Sequence, residues 1–239
     1  MCNVLSYNPN KPNKFGIKLY TLCESSSGYC LAFDVYTAQP SPLLNLAEDV
    51  GMSADSNATE KIVVGLLENA KCLGLGHHVY MDNYYTSTNL FDFLVANKTY
   101  ACGTVRSSRK GLPTAFSEIK NLKNQECITR TKNQLMALKF QDKRTVHMLS
   151  TIHDSTGKIV QKPKRPAKMK PDAVTDYCSK MGGVDLMDQV SQYYEITRRS
   201  MKWWRKLAFY MIDLCTVNAY QLYKKFSNNR KKLHTQNSD

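Results

Sequence analysis

His77-His78-Val79-Tyr80-Met81-Asp82-Asn83-Tyr84-Tyr85-Thr86-Ser87 is the stretch on which the reading of the fold turns. Val79, Tyr80 and Met81 form a short apolar run of β-branched and aromatic character, with Gly74 and Gly76 before it and a polar cluster after it. That pattern predicts a short buried strand. The strand ends on Asp82, and Ser87 or Thr88 then caps a helix through Leu90, Phe91, Leu94 and Val95. A carboxylate at the carboxyl end of a buried strand, followed by a helix, sits where open α/β sheets place their chemistry. The plainer alternative is a turn aspartate supported by Asn83.

Working outward, residues 15–23 alternate well enough for a strand, residues 25–28 supply a turn, and residues 29–36 are rich in β-favouring side chains. Together they predict a hairpin. Residues 39–58, with two prolines and small polar residues, read as a loop. Ile62, Val63, Leu66, Leu67 and Ala70 recur at helical spacing and predict a helix over 59–72. Residues 100–105 form a further strand. A hairpin feeding alternating helices and strands implies an α/β fold, a mixed sheet flanked by helices.

Beyond residue 105 the character changes. Arg106, Arg109 and Lys110 lie in a basic loop, and residues 127–130, 134–140 and 145–151 read as a three-stranded meander. The expectation is a largely β insertion outside the main sheet. Residues 159–171 carry Lys162, Lys164, Arg165, Lys168 and Lys170 between prolines, an extended basic linker. Helices are expected over 173–181, 185–194 and 200–226, the last apolar on most sides and therefore buried, with Trp204 in the core. The parts are thus 1–105, first part of the core; 106–170, insertion and linker; 171–226, helical last part of the core; and 227–239, a polar frayed tail.

The chain of 239 residues is 42% hydrophobic and 22% charged, enough to bury one core and too apolar for wholesale disorder. Its formal net charge of +13 favours a polyanionic partner, with nucleic acid foremost. None of the eight cysteines forms a Cys-x-x-Cys pair, which argues against structural zinc and for reduced thiols. No apolar run approaches the roughly 20 residues needed to span a bilayer, and the first residues lack a signal-peptide pattern. The expectation is an intracellular chain that does not engage a membrane.

Several longer segments carry a resemblance: 10–18, then Gly103-Thr104-Val105-Arg106, then Gly182-Gly183-Val184-Asp185-Leu186-Met187-Asp188-Gln189, then Arg199-Ser200-Met201-Lys202-Trp203-Trp204-Arg205, and Asn218-Ala219-Tyr220. In this order they resemble the piggyBac transposases and their transposable element-derived relatives, over nearly the whole chain. The resemblance implies a ribonuclease H-like core, a nuclear location and DNA as partner. It also implies magnesium or manganese as cofactor, with two ions about 4 Å apart serving strand cleavage and transfer. Carried over residue by residue, the catalytic and metal-binding acids are Glu24, Asp82, Asp185 and Asp188. Asp185 and Asp188, three apart, share a helix face; a solvated acidic first turn is the bland alternative.

Glu24 departs from the family pattern, which has Asp there. The extra methylene moves the carboxylate by about 1.5 Å, and misplacements near 1 Å can cost about a hundredfold. DNA contacts are expected at Arg106, Arg109, Lys110, Lys162, Lys164, Arg165, Arg198, Arg199, Lys202 and Arg205. His77 and His78, adjacent on a strand, point to opposite faces and form no joint site. Relative to the family, the chain is expected to lack a long amino-terminal region and a carboxy-terminal zinc-binding domain. Two readings follow: a transposase catalytic core, weak or inactive alone, which pairs with itself or with a full-length transposase; or a non-catalytic, domesticated DNA-binding or interaction protein.

Overall fold

The computed structural model describes residues 4–9, 14–37, 39–119, 122–160, 168–193, 196 and 202–236. The chain divides into two compact units, one formed by residues 1–39 with 182–239 and the other by residues 40–181.

The first unit opens with β1 (Leu5–Tyr7) and β2 (Phe15–Ile17), an antiparallel pair in which Tyr7 and Phe15 rings lie 5.1 Å apart. The strand expected over 15–23 breaks at Lys18, and β3 (Leu19–Cys23) pairs instead with β4 (Cys30–Val35). This is the expected hairpin. Its turn holds Gly28 at a φ of +71°, where a Cβ would also lie 2.9 Å from the Met187 amide nitrogen. Only glycine meets both demands.

The second unit begins with α1 (Pro42–Asp49) and α2 (Ala58–Asn69). Residues 39–58 were expected to be loop, and α1 is a correction. Ser41 caps it, its hydroxyl accepting from the Leu43 amide at 3.1 Å, and Pro42 occupies the first turn. Leu43 and Ala47, four apart, are buried. The two helices meet at Gly65, where a Cβ would stand 2.2 Å from the Leu43 carbonyl oxygen.

Next come β5 (His78–Met81), α3 (Thr88–Ala96) and β6 (Tyr100–Thr104), with β5 and β6 parallel, so this stretch is a βαβ unit. After α4 (Ala115–Glu118) follow β7 (Cys127–Lys132), β8 (Leu135–Gln141) and β9 (Thr145–Ser150). The mixed sheet has the order β5-β6-β9-β8-β7, with β9 antiparallel to β6. Residues 106–170 are largely β as expected, but the expectation that their strands lie outside the main sheet is corrected. The reason is legible in β8: Leu135 to Phe140 are all buried, the signature of an interior strand covered on both faces. Even Lys139 is buried, its ammonium donating to the Phe116 and Ile119 carbonyls at 2.7 and 2.5 Å. The hairpin β3–β4, also expected in this sheet, forms a two-stranded sheet of its own.

Gly157–Val160 is β10 and pairs antiparallel with β11 (Lys168–Pro171), so the ends of the expected linker are strands. On α5 (Asp172–Lys180), Ala173, Val174 and Tyr177 pack against Cys102, Met136, Leu138, Phe140 and Met148 of the sheet.

The chain then returns to the first unit with α6 (Gly183–Tyr193) and α7 (Trp203–Gln236). Asn218 of α7 bonds the backbone of Cys30 twice, Oδ1 accepting from its amide at 2.9 Å and Nδ2 donating to its carbonyl at 3.0 Å. The outer edge of β4 is thereby occupied at that point, one reason the hairpin gains no further strand there. Two expectations for α7 are corrected. The helix runs through residues 227–236, which read as a frayed tail. Nor is it buried on most sides: Leu214 and Val217 are, but Trp204, Met211, Ile212, Tyr220, Leu222 and Phe226 are exposed, Trp204 by 51%. Its 34 residues extend about 51 Å, more than a short hairpin and one helix can cover.

Candidate functional site

Asp82 follows the last residue of β5, at the carboxyl end of the parallel pair. Its backbone carbonyl accepts from the Tyr85 and Thr86 amides at 3.3 and 3.2 Å and from the Thr86 hydroxyl at 2.8 Å. The carboxylate accepts from the Tyr84 amide at 3.0 Å and is otherwise exposed. Thr86 is fully buried and fits because the neighbouring strand has glycine at 103; a Cβ there would lie 2.4 Å from the Thr86 hydroxyl. This gives the glycine of Gly103-Thr104-Val105-Arg106 a physical meaning. The helix that follows is tied down by a buried carboxylate: Ser87 caps α3 and donates to Glu60 at 2.5 Å, and Asn89 donates to Glu60 at 2.9 Å.

Two arginines hold the same turn. Arg109 donates to the Asn83 and Tyr84 carbonyls at 2.8 and 3.2 Å, and Arg106 donates to the Asn83 side chain at 3.3 Å. Arg106 and Lys110 are exposed, whereas Arg109 is half-buried and occupied with the backbone. Two residues before Asp82, Tyr80 donates to Asp176 at 2.5 Å, and His153 meets the same carboxylate at 3.1 Å while its other nitrogen lies 2.9 Å from the Ser150 hydroxyl. Burial first, and then the Asp176 bond and charge, push the Tyr80 phenol up. This relay fastens α5 to β5 and was not seen in the sequence, since its members lie 23 to 96 residues from Asp176. Burial, and to a lesser degree the charge of Asp82, push the phenol of Tyr177 up.

The other three acids belong to the first unit. Glu24 sits at the hairpin turn, where Ser26 donates to Oε1 through its amide at 3.3 Å and its hydroxyl at 2.7 Å. Ser27 donates to Oε2 through its amide at 2.8 Å and also through its hydroxyl. Burial acts to raise this carboxyl, but the serine hydroxyls and amides outweigh it and hold Glu24 at about 2. The amino end of α6 lies against this turn, Gly183 so close that a Cβ would come within 3.1 Å of the Ser25 Cα. Asp185 and Asp188 are both exposed on α6. The charge of Asp188 also acts on Cys23 and Tyr210, whose groups are pushed up, for Cys23 mainly by its contact with Cys30 and for Tyr210 mainly by burial.

Carboxylate oxygens suit magnesium in kind. Within neither unit do three of His, Cys, Asp and Glu among the described residues group closely enough to hold a metal ion, and both Glu24 oxygens are engaged by serines.

Of the remaining expected DNA contacts, Lys202 and Arg205 are exposed, with Arg205 over the Trp204 ring at 5.3 Å. Lys162, Lys164, Arg165, Arg198 and Arg199 lie outside the described residues.

Comparison with known proteins fits this geometry. Residues 1–220 match the family described as Transposase IS4, and the chain belongs to that family of transposases. Within it, the chain is of the piggyBac type. It is 27% identical over 226 residues to human PiggyBac transposable element-derived protein 2, covering 90% of this chain and 36% of that protein. It is 26% identical over 232 residues to human PiggyBac transposable element-derived protein 3, covering 90% of this chain and 37% of that one. The chain therefore spans little more than a third of the length of these curated relatives. Among solved structures it is similar to the piggyBac transposase synaptic complex with hairpin DNA, at a TM-score of 0.80 and 23% identity, over 97% of this chain and 45% of that one. The fold is thus the ribonuclease H-like mixed α/β fold that the chain shares with that structure.

Proposed function

We propose that this chain is a DNA-engaging transposase core of the piggyBac type. Its ancestral chemistry is divalent-metal-dependent strand cleavage and transfer, and the chain acting alone retains little or none of it. The observation that supports this best is Asp82: an exposed carboxylate closing a strand of a parallel pair, on a turn held by two arginines. An acid placed there needs cations around it if phosphate is to approach, and Arg106 and Lys110 supply them. Lys162, Lys164, Arg165, Arg198, Arg199, Lys202 and Arg205 are further proposed DNA contacts, and Arg109 acts by positioning the turn.

Magnesium or manganese is the ion the family implies, with Asp82, Asp185 and Asp188 as its proposed ligands. Glu24 is proposed as the weak member of the set, because metal binding would have to strip its oxygens from Ser26 and Ser27. The same lock favours the second reading, a domesticated, non-catalytic DNA-binding protein. Proposed partners are nuclear DNA and a second copy of the chain or a full-length transposase.

The test is nicking of supercoiled duplex DNA by the purified chain with magnesium or manganese, beside Asp82→Asn. The expected result is DNA binding without nicking in both. Metal-dependent nicking that disappears in Asp82→Asn would overturn the claim of inactivity, and failure to bind DNA would overturn the claim of engagement.

A further inference from the structure

We propose that Cys23 and Cys30 form a redox couple, which a hydroperoxide converts to an intramolecular disulfide stapling the β3–β4 hairpin one residue from Glu24. The two are direct partners across the hairpin. The hydrogen-bonding directions decide which type of pair they make. The amide and carbonyl of Cys30 are directed away from β3, to the Asn218 side chain at 2.9 and 3.0 Å. The ladder bond on the turn side belongs to the next pair, from the Glu24 amide to the Tyr29 carbonyl at 2.8 Å. Cys23 and Cys30 are therefore a non-hydrogen-bonded pair. In such pairs the Cα atoms approach to about 4.5 Å, inside the range of about 4.4–6.8 Å that a disulfide spans.

Directly opposed residues of an antiparallel pair also point to one face. Both thiols do so, packing on Met187 and Leu214, with the Cys23 sulfur 3.5 Å from the Met187 sulfur. Cys23 is half-buried and Cys30 is 6% exposed, so a small oxidant enters from the Cys23 side.

The chemistry balances. One of the two sulfurs, having lost its proton, attacks one peroxide oxygen; the O–O bond breaks, hydroxide leaves and takes up that proton as water, and that cysteine becomes a sulfenic acid. The sulfur of the other cysteine then attacks the sulfenic sulfur, the S–O bond breaks, and the departing oxygen leaves as water with the second thiol's proton. Two thiols are oxidised, one hydrogen peroxide is reduced, and two waters form. The new bond turns the Cys23 sulfur from Met187 toward β4, altering the contact between the Glu24 turn and the helix that carries Asp185 and Asp188.

The tryptic peptide of residues 19–61 contains these two cysteines and no others, so the intact chain reports cleanly. The experiment treats the folded chain with hydrogen peroxide, then unfolds, alkylates and digests it. The expected product is this peptide lighter by two hydrogens and unalkylated, with both thiols restored to alkylation by dithiothreitol. In Cys23→Ser the product is lost and Cys30 becomes alkylatable. Recovery of both cysteines alkylated, separately over-oxidised, or joined to another peptide would overturn the proposal.

Discussion

Substitution of Gly103 by alanine tests how the Asp82 turn is built. The new Cβ would stand 2.4 Å from the Thr86 hydroxyl, 2.7 Å from the Met81 carbonyl oxygen and 3.1 Å from the Met81 Cγ. The Met81 carbonyl is backbone of the paired strand and cannot rotate away. The Thr86 hydroxyl can, but only by releasing the Asp82 carbonyl that it bonds at 2.8 Å inside a fully buried site. Overpacking costs about 1–3 kcal/mol and the lost hydrogen bond about 1. Replacing glycine within a strand returns about 0.5–1 kcal/mol. The net expectation is a destabilisation of about 2 kcal/mol. In urea unfolding followed by far-ultraviolet circular dichroism, a slope of about 2 kcal/mol per molar turns that into a midpoint about 1 M lower. Thr86→Ala removes part of the clash, so the double variant should cost about 1 kcal/mol less than the two single variants summed. A neutral Gly103→Ala, or a strictly additive pair, would refute this account of the turn.

Glu24 predicts a pH dependence. Its folded carboxyl at about 2 lies below the ordinary 4.5, so its contribution is complete above pH 4.5 and is lost as the pH falls toward 2. Exposure of the turn limits that contribution to about 1 kcal/mol; Glu24→Gln should remove it, and identical acid profiles of the two proteins between pH 4.5 and 2 would reject the serine lock. Gly65→Ala should lower the Tm despite a helix-propensity gain of about 1 kcal/mol, because its Cβ would meet the Leu43 carbonyl oxygen at 2.2 Å. An unchanged or raised Tm would rule out that close helix crossing.

Elements with a strong period were legible in the sequence. The Asp82 strand, its helix with the Ser87 cap, and the hairpin all form near the expected bounds because local pattern and packing agree. What local pattern cannot report is which strand neighbours which. The apolar run of β8 shows burial on both faces, but nothing in residues 135–140 says that β9 will lie between it and β6. The apolar face of α7 misled for the opposite reason, since helical periodicity names a face without saying whether anything covers it. At the candidate site, Asp82 could be named from its place at a strand end, and Glu24, Asp185 and Asp188 only from the resemblance. The serine lock on Glu24, the Tyr80–Asp176–His153 relay and the arginine grip on the Asp82 turn depend on side-chain direction, which spacing does not carry.

The central claim is that this transposase core engages DNA through phosphate contacts, and a salt series of duplex binding measures it most directly. Fluorescence anisotropy of a labelled duplex between 50 and 200 mM salt should show affinity falling steeply on logarithmic axes, by a slope of about 0.9 for each phosphate engaged. Arg106→Gln should make that slope shallower by about one contact while leaving the preference among duplex sequences unchanged. Binding that does not respond to salt, or no binding at about 50 mM salt, where phosphate contacts are strongest, would contradict the account.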